Sequence, residues 1–221
     1  MDYYGMWAHQ IKTPIAAMRI LVQSGMDREE NEENQKLFRQ LQMELFKTEQ
    51  YVEMVLSYLK IGDIAKDMVL ERCDLGKVVR QAVKKYSRLF ILQKLSLEMG
   101  EIAEIVLTDE KWLSFVVEQI ISNALKYTKS GSVSIYLEQE GVLVIKDTGI
   151  GISAEDLPRI MEKGYTGYNG RIDKRSTGIG LYLCKRLCDK LGIGLTAYSE
   201  NRGTTISLIF QMNDFIIGVQ G

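Results

Sequence analysis

Residues 142–156 read VLVIKDTGIGISAED, with Asp147, Gly149 and Gly151 closing an apolar run. The run has strand character, and the alternation over Ser132–Gln139 and Val142–Lys146 around Glu140 and Gly141 predicts a β-hairpin. Gly149, Gly151 and Ala154 satisfy a G-x-G-x-x-A dinucleotide pattern. That pattern also requires a second parallel strand ending in an acid about 20 residues later. Residues 164–178 instead read GYTGYNGRIDKRSTG, a loop rich in glycine and bases, so the dinucleotide reading fails. The reading that remains places the Asp147 carboxylate at a strand end, aimed into a pocket. There it would accept from an exocyclic amine and so select adenine over guanine. A plain strand-end turn is the competing reading of this segment alone.

Two further segments flank the first. On the helix expected over Asp109–Tyr127, Leu113, Val117, Ile120 and Ala124 form an apolar stripe, while Gln119, Asn123 and Lys126 share another face with Tyr127 beside it. An amide oxygen one turn from an ammonium group can serve a magnesium ion and a phosphate oxygen together; a solvated helix face is the alternative. Gly178 and Gly180 open the helix expected over Gly178–Leu191, whose free N–H groups would suit a phosphate. The loop before it carries Gly164, Gly167, Gly170, Arg171, Lys174 and Arg175, the composition of a mobile lid.

Composition narrows the classes. The 221 residues are 46% hydrophobic and 26% charged, with a net charge of −1. That size admits one large or two small globular domains. With no basic excess, a dedicated nucleic-acid binder is excluded. Three cysteines and one histidine leave neither a disulfide framework nor a histidine-based metal site. Cys184 and Cys188, one helical turn apart, read as small apolar core residues. No apolar run reaches the roughly 20 residues of a membrane span.

The first 60 residues have helical periods only. Ala8, Ile11, Ile15, Met18 and Val22 line one face of a first helix. Met26–Asn34, with five acids and one Arg, is expected to form the turn of a helical hairpin. A second helix carries Leu37, Leu41, Leu45, Thr48, Val52, Val55 and Leu59. Two helices cannot bury two such stripes alone, which predicts a dimeric four-helix bundle. The expected organisation is an all-α hairpin over 1–60, a linker over 61–66 and an α+β sandwich over 67–221. In the second part, strands are expected at 67–73, 95–99, 105–107, 195–198 and 204–210. Helices are expected at 74–86 and 109–127, with a short helical piece at 154–161, against one mostly antiparallel sheet.

Asn123, then Asp147-x-Gly149-x-Gly151, then Gly178-x-Gly180 resemble, in order, the GHKL ATP-binding fold, over roughly residues 67–211. That fold is shared by sensor histidine kinases, gyrase-type ATPases, mismatch-repair ATPases and heat-shock chaperones. His9-Gln10-Ile11-Lys12-Thr13-Pro14 resembles the phosphoacceptor box of the histidine kinases among them. The wording DYYGMWAHQIKTPIAAM is similar to the intramembrane-sensing kinases of Gram-positive bacteria that respond to antimicrobial peptides.

The resemblance implies a protein-histidine kinase using ATP and Mg²⁺. Adenine would sit on Asp147, with Gly149 and Gly151 beside it, and magnesium on Asn123. Phosphates would meet Lys126, Tyr127, Gly178 and Gly180, with Leu181 and Thr204 also lining the site and Tyr165 anchoring the lid. His9 would be the phosphoacceptor and Thr13 would position water for phosphatase action. Gln10 stands where the family usually has an acid, and an amide can orient the imidazole but not deprotonate it. Gln119 stands where ATPase relatives carry a general base, which favours transfer over hydrolysis. Pro14 should bend the first helix. The implied partners are a second copy of the chain, a response-regulator receiver domain and, by family, a peptide-exporting ABC transporter. Since the chain begins eight residues before His9, the expectation is the cytoplasmic portion of a membrane protein whose spans lie outside it. A nucleotide-binding scaffold without transfer and a GHKL ATPase are the alternatives.

Overall fold

The computed structural model describes the backbone of residues 3–60, 68–167, 177–200 and 202–211, and side chains from Gln10 onward within these ranges except that of Lys60. The expected linker, 61–66, and the loop residues Gly170, Arg171, Lys174 and Arg175 lie outside the described residues. The chain divides into two units, Met1–Ile64 and Ala65–Gly221.

The first unit is a helical hairpin of α1 (Tyr3–Arg28) and α2 (Glu32–Lys60). The turn is shorter than the acidic run suggested. α1 continues to Arg28, and the Asn31 side chain caps α2 by accepting from Glu33 N at 2.8 Å, so only residues 29–31 lie outside the helices. α1 runs continuously through Pro14.

The inner seam of α2 lies beside the expected stripe rather than on it. Phe38 packs where a Cβ on Gly25 would sit, Gln42 donates to Gln23 at 2.8 Å, and Glu49 and Glu53 pair with Arg19 and Lys12. Leu37, Leu41 and Leu59 of the expected stripe remain exposed, as do Ile20 and Leu21 of α1.

In the second unit the strands are β1 (Glu71–Asp74), β2 (Ser96–Met99), β3 (Ile105–Thr108), β4 (Ser132–Gln139), β5 (Val142–Asp147), β6 (Gly194–Tyr198) and β7 (Thr204–Ile209). The helices are α3 (Leu75–Gln93), α4 (Glu110–Tyr127) and α5 (Gly180–Leu191). The main sheet has the order β2-β4-β5-β7-β6, antiparallel except for the β2–β4 pair. β1 and β3 form a separate antiparallel ribbon, a second sheet that the sequence reading did not anticipate.

Asp74 and Asp109 start α3 and α4 by accepting from Lys77 N at 2.8 Å and Trp112 N at 3.1 Å. α3 runs seven residues past the expected Tyr86, because Phe90 continues the buried spacing of Val79, Ala82 and Tyr86. It ends at Lys94, whose left-handed backbone closes the helix. The expected helical piece at 154–161 is instead turns around a 3₁₀ segment, Leu157–Arg159, with Pro158 inside it.

α4 packs between α3 and α5. Leu113, Val117, Ile120 and Ala124 are buried as expected, together with Val116 and Ile121. Val133, Ile135, Leu143, Ile145, Ile206 and Leu208 form the buried sheet face opposite. Each such side chain contributes about 1.5–3 kcal/mol when fully removed from water. Val142–Ile145 are buried on both faces of β5, the central strand of the main sheet. Cys184 and Cys188 are fully buried in α5, as expected of core thiols.

Candidate nucleotide site at the ends of β5 and α4

The last residue of β5 and the last turn of α4 meet through the backbone. Ile150 N donates to Tyr127 O at 3.2 Å, and Thr148 N donates to Ser132 O at 3.1 Å. The β6–β7 connection joins them: Gly203 N donates to Gly149 O at 2.9 Å. Ser199 Oγ accepts from Ile152 N at 2.8 Å and donates to Gly203 O at 2.7 Å.

Two glycines make this junction sterically feasible. A Cβ on Gly149 would lie 2.5 Å from Tyr127 O and 2.8 Å from Asp147 Oδ1. Gly203 has φ +79°, and a Cβ there would lie 2.3 Å from Asp147 O. Gly203→Ala combines left-handed strain with a clash against immobile backbone. It is expected to destabilise the domain by about 3 kcal/mol, lowering Tm by about 10 °C; calorimetry checks this.

Asp147 is 7% exposed. Its Oδ1 accepts from Gly149 N at 2.8 Å. Burial raises its pKa above the ordinary aspartate value of 3.8, while hydrogen bonding from the Gly149 backbone first, and from Thr204, holds it down. As an acceptor for a ligand amine it must be ionised, so nucleotide affinity should fall on acidification in a window above that of an ordinary aspartate. Stability moves the other way. A carboxyl raised on folding stabilises while protonated, and that contribution is lost as pH rises through its folded pKa. Nucleotide titrations across mildly acidic pH test this; an affinity that falls only where ordinary aspartates protonate would contradict it.

The expected polar face of α4 passes from interior to solvent. Gln119 is buried at 8% exposure, Asn123 and Tyr127 are half-buried and Lys126 is exposed. Gln119 therefore sits in the core rather than on a solvated face. The Lys126 ammonium lies 5.3 Å from the centre of the Tyr127 ring. Glu118, the nearest carboxylate in sequence to Gln119, is held by Lys85 of α3 at 2.6 Å.

Gly178 precedes α5, whose first turn begins at Gly180 and has no side-chain cap. Leu181 is half-buried in that turn and Thr204 begins β7 beside Asp147. Gly164 N donates to Gly178 O at 3.0 Å, joining the two ends of the intervening loop. The Tyr165 hydroxyl donates to Asp156, and the Arg159 guanidinium stacks on its ring at 4.2 Å. Gly151 lies against Ser199 and Arg202.

Asp147, Gly149, Gly151, Thr204 and the end of α4 are thus brought together. Thr128 and Gly203 were missed in the sequence. A hydroxyl directly after the helix-ending Tyr127, and a glycine directly before the strand that pairs with Asp147, were the available signals. An open groove of about 640 Å³ lies on the other face of the sheet, lined by Glu98, Ser134, Tyr136 and Lys146 among others. Since Lys146 and Asp147 alternate along β5, that groove is not this site. In the first unit, Gln10 and Thr13 are exposed on α1, and the His9 side chain lies outside the described residues.

Residues 108–214 match the family of histidine kinase-, DNA gyrase B- and HSP90-like ATPases. The chain is 32% identical over 217 residues to the sensor histidine kinase YxdK of Bacillus subtilis, covering 95% of this chain and 64% of that protein. It is 33% identical over 216 residues to the sensor protein kinase GraS of Staphylococcus aureus, covering 96% and 60%.

The chain is thus similar to sensor histidine kinases over nearly its whole length. The chain spans about three-fifths of the length of these relatives. Its fold is similar to that of about half of ShkA, whose full-length structure was solved in complex with AMPPNP, with a TM-score of 0.64 at 19% identity over 96% of this chain and 47% of that one. Among the described residues no helix is long and apolar enough to cross a membrane.

Proposed function

We propose that this chain is the catalytic portion of a membrane-bound sensor kinase that transfers the γ-phosphate of ATP to His9 and then to an aspartate of a response regulator. The observation that carries the reading is the buried, directionally fixed carboxylate of Asp147 at a strand end. It lies in the same chain as a lone histidine in a His-Gln-Ile-Lys-Thr-Pro box.

The donor set fits an adenine nucleotide. Asp147 would accept the exocyclic amine, with the Gly149 backbone held beside it against the end of α4. Lys126, Tyr127, Gly178, Gly180 and Leu181 would border the phosphates, with Tyr165 at the foot of the lid. Asn123 would hold Mg²⁺, which when bound supplies charge neutralisation at the phosphates. In the transfer, a ring nitrogen of His9 forms the N–P bond and the γ-phosphorus–oxygen bond to ADP breaks. ADP leaves with the electron pair, and the imidazole proton passes to solvent. Gln10 orients the ring. Since an imidazole is largely neutral at pH 7, the attacking lone pair does not require a carboxylate neighbour.

The Lys85–Glu118 bridge and the burial of Gln119 weigh against the ATPase alternative, because neither side chain is poised to activate water. The exposed Leu37, Leu41, Leu59, Ile20 and Leu21 favour a second hairpin as partner, completing a four-helix bundle. The receiver domain and a peptide-exporting ABC transporter are the other proposed partners. Incubation with γ-labelled ATP and Mg²⁺ tests the reading. Acid-labile, alkali-stable label supports it, and steady phosphate release without label refutes it. Thr13, exposed on α1, is assigned to phosphatase action. Thr13→Ala is expected to spare autophosphorylation and slow regulator dephosphorylation about tenfold or more; a regulator dephosphorylation assay measures this.

A further inference from the structure

The β1–β3 ribbon gathers a second set of donors. Glu71 lies opposite Thr108 and Cys73 opposite Val106. Opposed residues of an antiparallel pair project to the same side, so Glu71, Cys73 and Thr108 share one face. α4 begins directly after β3, which brings Glu110 to the same place. Cys73 Sγ and one carboxylate oxygen from each of Glu71 and Glu110 all lie within 4.8 Å of one another.

Cys73 is 1% exposed and lies 3.5 Å from the carbonyl oxygens of Glu71 and Thr108. Thr108 is fully buried, and its hydroxyl, on the face shared with Glu71 and Cys73, has no hydrogen-bond partner. Such a group normally finds a partner, so its isolation points to a ligand that would complete the cluster. The Lys77 ammonium lies 3.3 and 3.5 Å from the Glu110 carboxylate oxygens, a cation already drawn to this point.

We infer that Glu71, Cys73 and Glu110 form a binding site for a thiophilic divalent cation, zinc above all, with the Thr108 hydroxyl turned towards it. One sulfur and two carboxylates are a ligand set that zinc accepts, whereas magnesium and calcium take oxygen alone. On binding, the Cys73 S–H bond breaks and its proton passes to solvent. A sulfur–metal bond forms without change of oxidation state, and Lys77 turns to water still charged. The cation ties β1 to the first turn of α4. Glu110 and Asn123 are 13 residues apart on that helix, about 20 Å, so the site is independent of the nucleotide reading.

Co²⁺ serves as a spectroscopic stand-in, titrated into the whole chain without nucleotide or magnesium. One equivalent should produce a sulfur-to-cobalt charge-transfer band that Zn²⁺ displaces, and Zn²⁺ should raise Tm by several degrees. Cys73→Ser should remove the band. Glu110→Gln should weaken Zn²⁺ binding about tenfold or more, and Lys77→Ala, which removes the competing ammonium, should strengthen it. The last two alter partly exposed side chains and keep the test decisive if the buried change prevents folding. Absence of the band in the unaltered protein overturns the site. So does a band that survives Cys73→Ser, the outcome expected if the buried Cys184 or Cys188 were the ligand, or unchanged binding in Glu110→Gln.

Discussion

Asp147→Asn is expected to weaken ATP binding about a hundredfold while leaving the fold intact. The substitution keeps the shape and the bond from Gly149 N, since the amide oxygen can accept it. What changes is the other side of the group: an NH₂ faces the adenine amine, and two donors meet where a charged acceptor stood. A hydrogen bond to a charged group contributes about 1.5–3 kcal/mol, and leaving both donors unpaired adds to that loss. The same change removes a charge from a site with 7% exposure but gives up part of the hydrogen bonding from Thr204. These contributions oppose, so Tm should change little. Calorimetric titration with ATP and thermal melting separate the two effects. Unchanged affinity would show that Asp147 is a structural strand end.

The second large effect is expected from His9→Ala, which should reduce acid-labile labelling by γ-phosphate to background while ATP affinity stays as it was. His9 is the only histidine in the chain, so no neighbouring imidazole can substitute for it. The nucleotide site assigned above draws its residues from the second unit, which explains why binding should survive. Gln10→Ala should behave differently and retain measurable labelling, because an amide orients the ring without removing its proton. Loss as complete as in His9→Ala would assign Gln10 an indispensable part. Persistence of label in His9→Ala would refute the phosphoacceptor assignment outright.

The strand-end position of Asp147 was legible in the sequence because a strand pattern, an acid and two glycines fall in a row, and each has a geometric meaning. Asp74 and Asp109 were legible as helix starts for a similar reason, since a short acceptor before an apolar period satisfies free N–H groups. Thr128 and Gly203 were not, because their importance depends on the register that sets β7 against β5 and on the position of the α4 end. Neither follows from local pattern. The β1–β3 ribbon was hidden likewise: short strands carry too few residues to say which sheet they join. α3 outran its expected end because Phe90 continues the buried spacing across a polar interval at Ser87 and Arg88. In the hairpin, periodicity identified the apolar positions of α2 but not which of two adjacent seams faces α1. Gly25 against Phe38, and Gln23 with Gln42, decide that in three dimensions.

The bond between Gly164 and Gly178 fixes where the intervening segment leaves and rejoins the scaffold. Once such ends are pinned, the entropic cost of a longer excursion grows only logarithmically, about 0.6 kcal/mol for each doubling. Insertions between these two glycines are therefore expected to leave β5, α4 and α5 aligned, with little change in Tm.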